Sequence, residues 1–195
     1  MSSLSSWLYH SHQIMCAMTK SWVYLLCAMA VCVCTACTPA LNWREVRFDA
    51  GDVVVLMPCK PDQAVRNILL QSGQDALPAS LQLQGCEASD LQFTFGQIAL
   101  PAGVLPDVML NAWQQASLTP LSVRTQDALT QPWALAGAVS APQAVRSRVK
   151  TAALQVEFGW FMHGNKLYQV AMYGAAKTKS FDETADVYFS GIKLQ

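Results

Sequence analysis

Charge is scarce in this chain. Its 195 residues carry 13 basic and 13 acidic side chains, so charged groups make up 13% of the sequence, roughly half the ordinary share of about 25%. The formal net charge is zero, which argues against the broad basic footprint of a nucleic-acid binder. Acidic residues are also too few for a solvating tail. Histidine is scarcer still, with three residues, of which only His163 follows residue 37. Beyond that point there is no H-E-x-x-H, no C-x-x-C and no Asp-rich calcium loop, so no metal site is advertised. G-x-S-x-G, the Walker loop and G-x-G-x-x-G are missing as well, which removes support for a serine hydrolase or a phosphate cradle. His163 sits in an expected hairpin turn and reads as a solvated turn residue, not a base. No cofactor is expected, and the chain reads as a non-enzyme. Internal repeats and low-complexity tracts are missing too. Apolar residues are plentiful at 52%, which excludes disorder of the chain as a whole. The length suits one domain with an additional segment.

That additional segment is at the N-terminus. No charged residue lies between Lys20 and Arg44, and the apolar core of the stretch runs from Trp22 to Ala36. It has the length of a signal-peptide core, about 7 to 15 residues, and falls short of the roughly 20 needed to span a bilayer comfortably. Lys20 supplies the positive charge before it. The run ends Cys34-Thr35-Ala36-Cys37. This ending resembles the processing site of bacterial lipoproteins, with two small residues before the modified cysteine and Cys34 in the place usually taken by Leu, Val or Ile. The resemblance implies that residues 1–36 are a signal peptide and that Cys37 becomes the lipidated first residue. Residues 37–42 would then form a tether. Several acyl chains, each contributing about 0.8 kcal/mol per buried CH2, would hold the protein on a membrane. Thr38, in place of Asp, implies sorting to the outer membrane, with the domain facing the periplasm. The first 17 residues lack Lys and Arg and fit a signal poorly, so translation is expected to start at Met18, or at Met15. Two alternatives remain: an uncleaved membrane span, and release as a soluble protein by cleavage after Ala28-Met29-Ala30.

The seven cysteines sort by position. Cys16, Cys27, Cys32 and Cys34 fall in or before the signal, and Cys37 is the lipid site. Cys59 and Cys86 remain, and in an oxidising compartment two cysteines form one bridge. A metal pair or a redox pair is the alternative, although the spacing is wide for redox chemistry and no histidine is near.

Residues 43–195 read as a single α+β domain, an antiparallel β-sheet flanked by helices and preceded by the apolar N-terminal signal or anchor helix. Strands are expected over Trp43 to Phe48, Val53 to Met57 and Val65 to Leu70. Alternation marks two more, around Leu81-Leu83-Gly85 and Leu91-Phe93-Phe95. Asp49 to Asp52 reads as a turn. Pro106 and Asp107 open a helix whose buried stripe is Met109, Ala112, Trp113 and Ala116. Leu118 to Pro142 reads as loop with one short strand. A hairpin follows, with alternating Leu154 to Met162, a turn at His163-Gly164-Asn165, and alternating Leu167 to Tyr173. Its aromatic residues, Phe158, Trp160, Phe161, Tyr168 and Tyr173, read as core, with a ligand box as the alternative. Ser180 and Glu183 form a capping-box pattern ahead of a stripe of Phe181, Ala185, Tyr188 and Ile192.

Three of these places resemble the PsbP-like exported proteins, named for an extrinsic subunit of the photosynthetic oxygen-evolving complex. They are Met57-Pro58-Cys59-Lys60-Pro61, the hairpin from Phe158 to Tyr173, and the ending from Ala185 to Leu194. The resemblance covers about residues 43–195 and implies an antiparallel sheet between helices. It carries no catalytic residues, and its known members act as binding or assembly subunits. One basic cluster remains: Arg146, Arg148 and Lys150 alternate with Val145, Ser147 and Val149. On a strand they would share one face, offered either to an anion or partner or simply to solvent. The expected function is a non-catalytic envelope lipoprotein held to a membrane through Cys37, binding a protein, lipid or cell-wall component and no nucleic acid. An envelope enzyme with an unadvertised site, and the same domain on an uncleaved helix, are the alternatives.

Overall fold

The computed structural model describes residues 41–48, 52–138 and 144–195. The leader, Cys37 and most of the expected Asp49 to Asp52 turn lie outside the described residues. Among those described, no helix is long and apolar enough to cross a membrane.

The domain is α+β. Its elements are β1 (Arg44–Phe48), β2 (Val53–Met57), β3 (Asp62–Ser72), β4 (Asp75–Ala88), β5 (Leu91–Ala99), α1 (Pro106–Leu118), β6 (Leu129–Pro132), β7 (Val145–Lys150), β8 (Leu154–His163), β9 (Lys166–Ala175), α2 (Phe181–Ser190) and β10 (Lys193–Leu194). Seven strands form one sheet in the order β3-β4-β5-β9-β8-β7-β6, and three form a second in the order β1-β2-β10. All pairings are antiparallel.

Around its central strands β8 and β9 the large sheet is apolar on both faces. On β8, Val156, Phe158 and Trp160 are fully buried on one side and Phe161 on the other. On β9, Leu167 and Ala171 face one way while Tyr168, Val170 and Met172 face the other. α1 covers the first face through Met109, Leu110, Trp113 and Leu118. α2 and the small sheet cover the second through Phe181, Tyr188, Phe189, Phe48, Val53 and Val55. The hairpin aromatics are therefore core. Phe158 stacks on Trp160 under α1, with ring centroids 5.1 Å apart. Phe161 stacks on Tyr168 on the opposite face, at 5.0 Å.

Several expectations need correction. β3 begins straight after Pro61 and is longer than Val65 to Leu70, because its polar ends also pair with β4. Ala116 is exposed; the stripe of α1 turns instead through Leu110 and Leu118, which are buried. Ser180 precedes α2 but makes no side-chain cap bond. Its backbone (φ −79°, ψ 1°) is not in the extended conformation that aims an N-cap hydroxyl at the first turn. Asp182 and Glu183 still place negative charge in that turn, where the helix dipole favours it. The β8–β9 turn is two residues, since His163 pairs with Lys166, and Gly164 takes the positive φ of 58°. The short strand expected between Leu118 and Pro142 is β6, and residues 139–143 lie outside the described residues.

Gly159 marks the tightest contact between sheet and cover. A Cβ there would stand 2.5 Å from Trp133 Cζ3 and 2.9 Å from Phe189 Cε1. Gly159→Ala is therefore expected to destabilise the domain by about 1–3 kcal/mol through overpacking. Urea unfolding checks this, and an unchanged midpoint would contradict the packing described.

Candidate functional site

The strand register places Arg146, Arg148 and Lys150 on one face of β7, the face that α2 covers. Counting back from the β7–β8 turn sets Arg148 opposite Glu157 and Arg146 opposite Gly159. Glu157 is 2% exposed, and each of its oxygens is met by one guanidinium. Arg146 Nε donates to Oε1 at 2.7 Å, and its Nη2 also pairs with Oε1. Arg148 Nε and Nη2 donate to Oε2 at 3.0 and 2.5 Å. One helical turn apart on α2, Asp182 accepts from Arg148 Nη1 at 3.0 Å and Asp186 lies 3.7 Å from Arg146 Nη2. The Arg146 guanidinium also lies over the Phe189 ring, 4.6 Å from its centroid. Burial opposes the charge on Arg148, but Glu157, then Asp182 and Asp186, outweigh it and raise its pKa.

This cluster does not form a basic patch. Two guanidiniums meet three carboxylates, so an incoming anion encounters net negative charge and donors already engaged. The face is also only partly open to solvent, because α2 lies across it beside Arg146 and Arg148, which are half-buried. A hollow of about 200 Å³ remains beside the cluster, bordered by Leu129, Gln131, Arg146, Arg148, Glu157 and Asp186. Lys150 stands exposed at the end of β7, apart from the cluster. Glu157 was not singled out from the sequence. The available signal was its register opposite Arg148, counted from the turn at Thr151-Ala152-Ala153.

The second construction is covalent. Cys59 and Cys86 form a disulfide, with Cα atoms 6.0 Å apart. Cys59 follows β2 of the small sheet, and Cys86 lies on β4 of the large one, so the bond ties the two sheets together. It also closes a loop that is the β3–β4 hairpin itself. For a sequence separation of 27 residues the chain-entropy model gives about 3.5 kcal/mol.

His163 ends β8 and is partly exposed. Its Nδ1 donates to the Gly137 carbonyl at 3.1 Å, which fixes the ring against the β6–β7 connection. Among the described residues, no group of three or more His, Cys, Asp or Glu side chains is placed to hold a metal ion. No family model matches the chain, and no curated protein matches it significantly.

Removing the Glu157 carboxylate leaves two partly buried guanidiniums with only the exposed Asp182 and Asp186 to pair with. Glu157→Ala is expected to cost about 3–5 kcal/mol, while Asp186→Asn, at an exposed position, should cost under about 0.5 kcal/mol. Chemical denaturation of both variants checks this, and similar small losses would show that Glu157 is not the centre of the cluster.

The buried tyrosines set an alkaline limit. Burial pushes Tyr168 and Tyr173 up to about 12, with Asp52 adding to the shift at Tyr168. Burial raises Tyr188 further, helped by Tyr173, and its hydroxyl donates to the Thr94 carbonyl at 2.9 Å. An unfolded tyrosine ionises near 10. Folded pKa values above unfolded ones give stability that is complete below about pH 10 and lost as pH rises toward about 12. These three phenols should therefore ionise together with unfolding when absorbance at 295 nm is followed. Ordinary titration near 10 in the folded protein would contradict their burial.

Proposed function

We propose that this protein is an exported, lipid-anchored component of a bacterial cell envelope. Its domain faces the periplasm and acts as a non-catalytic binding or assembly module of the PsbP-like kind. The observation that carries this reading is the Cys59–Cys86 disulfide, because such bonds persist in oxidising compartments and are rare in the cytosol. The leader adds the route. Lys20, the uncharged run Trp22 to Ala36 and the Thr35-Ala36-Cys37 ending form a sequence that delivers a cysteine to lipid attachment. An antiparallel sheet with a helix on each face agrees with the PsbP-like resemblance. Because Glu157 engages Arg146 and Arg148, these two residues do not offer a partner a free basic patch.

The test is Cys37→Ser in cells, followed by fractionation and labelling with palmitate. Loss of label and release of the domain from membranes is the expected result. Retention of the variant without label would assign anchorage to the apolar run instead and overturn the lipid tether.

A further inference from the structure

Among the described residues, β3 is an edge strand of the large sheet, and it carries little of the protection that natural edges carry. Edges are usually blunted by shortness, proline, bulges or charge. β6, at the opposite edge, has four residues and ends on Pro132. β1 has five residues, three of them charged, and β10 has two. β3 has 11 residues, no proline and one charge of each sign. Its register with β4 runs unbroken from Asp62↔Gly85 to Ser72↔Asp75. On its face away from α1, Val65 and Leu69 are 69% and 66% exposed.

The strand is also complementary to itself. The two-residue turn after Ser72 makes Ser72 and Asp75 the closing hydrogen-bonded pair. Gln63, Val65, Asn67, Leu69 and Gln71 therefore turn their backbone N–H and C=O groups outward. Asn67 is the middle residue of β3. A two-fold axis through it sets a second β3 antiparallel over the whole strand, with about ten backbone hydrogen bonds from the five outward-facing residues. In that register each Val65 lies directly opposite the other copy's Leu69, so both exposed apolar side chains are covered by each other. Gln63 meets Gln71. The formal net charge is zero for the whole chain and minus one without the leader's Lys20, so copies repel each other little at long range.

We infer that the β3 edge is a docking surface for a second copy of this chain, joined through antiparallel β3–β3 pairing about Asn67 into one continuous sheet. This rests on the strand edge and not on the mode of anchorage, so membrane retention and pairing are read separately.

The test is oxidative cross-linking of the full chain in membranes with Asn67→Cys, using the unsubstituted chain to subtract links through other cysteines. In an antiparallel pair, facing Cα atoms at the axis lie about 5.5 Å apart, within disulfide reach. Gln63→Cys and Gln71→Cys would each place like residues about 27 Å apart and should not link. Adding Leu69→Lys, or separately Val65→Lys, to Asn67→Cys should lower the dimer yield by about tenfold, with the Cys59–Cys86 bond and unfolding temperature retained. Three results would overturn the inference: no dimer at Asn67→Cys, equal linking at all three positions, or capture of a different protein by Cys at position 67.

Discussion

A β-sheet that is apolar on both faces must be covered twice, and that requirement organises the whole domain. Phe158 and Trp160 look one way from β8 while Phe161 looks the other, all fully buried. At the centre of the sheet neither face can be left to water, so the chain supplies α1 for one and α2 with the small sheet for the other. Other features follow from that cover. α2 seals Glu157, and a sealed carboxylate must be matched by charge and hydrogen bonds, which Arg146 and Arg148 provide. The same helix brings Phe189 down beside Trp133, and only a glycine at position 159 leaves room for both rings.

What could be read from the sequence was what local chemistry specifies. Val53–Met57 is a β-branched run bounded by Asp52 and Pro58, and its limits in the fold are those two neighbours. The β8–β9 hairpin was legible because alternation on both arms meets a glycine turn. What the sequence does not specify locally depends on distant parts of the chain. Glu157 looks like an ordinary outward residue until α2, about 25 residues later, folds over it. The three basic residues of β7 read as a surface for the same reason: their parity was evident, but not the helix above them. Trp133 lay in a segment with no periodicity and fills the gap over Gly159. The Ser180 pattern misled because a capping box needs an extended backbone at the cap, which a four-letter pattern does not specify.

The disulfide and the open edge form one construction. The loop that Cys59–Cys86 closes is the β3–β4 ribbon, fastened at its far end by a two-residue turn and at its root by sulfur. A two-stranded ribbon is marginal by itself. Here β4 is held by β5 along Leu81 to Ala88, while the outer strand depends on β4, on α1 against Ile68 and Leu70, and on the bridge. An edge fixed in one extended conformation has little ordering entropy to lose when a partner strand arrives, so the bridge favours pairing without touching the partner. The same bridge gives the process an order. A long, weakly charged edge is a hazard for any chain passing through a crowded cytosol. On the proposed export route the sulfur bond forms only after that passage, so the ribbon would become rigid in the compartment of the proposed partner strand, and oxidation would precede the inferred pairing.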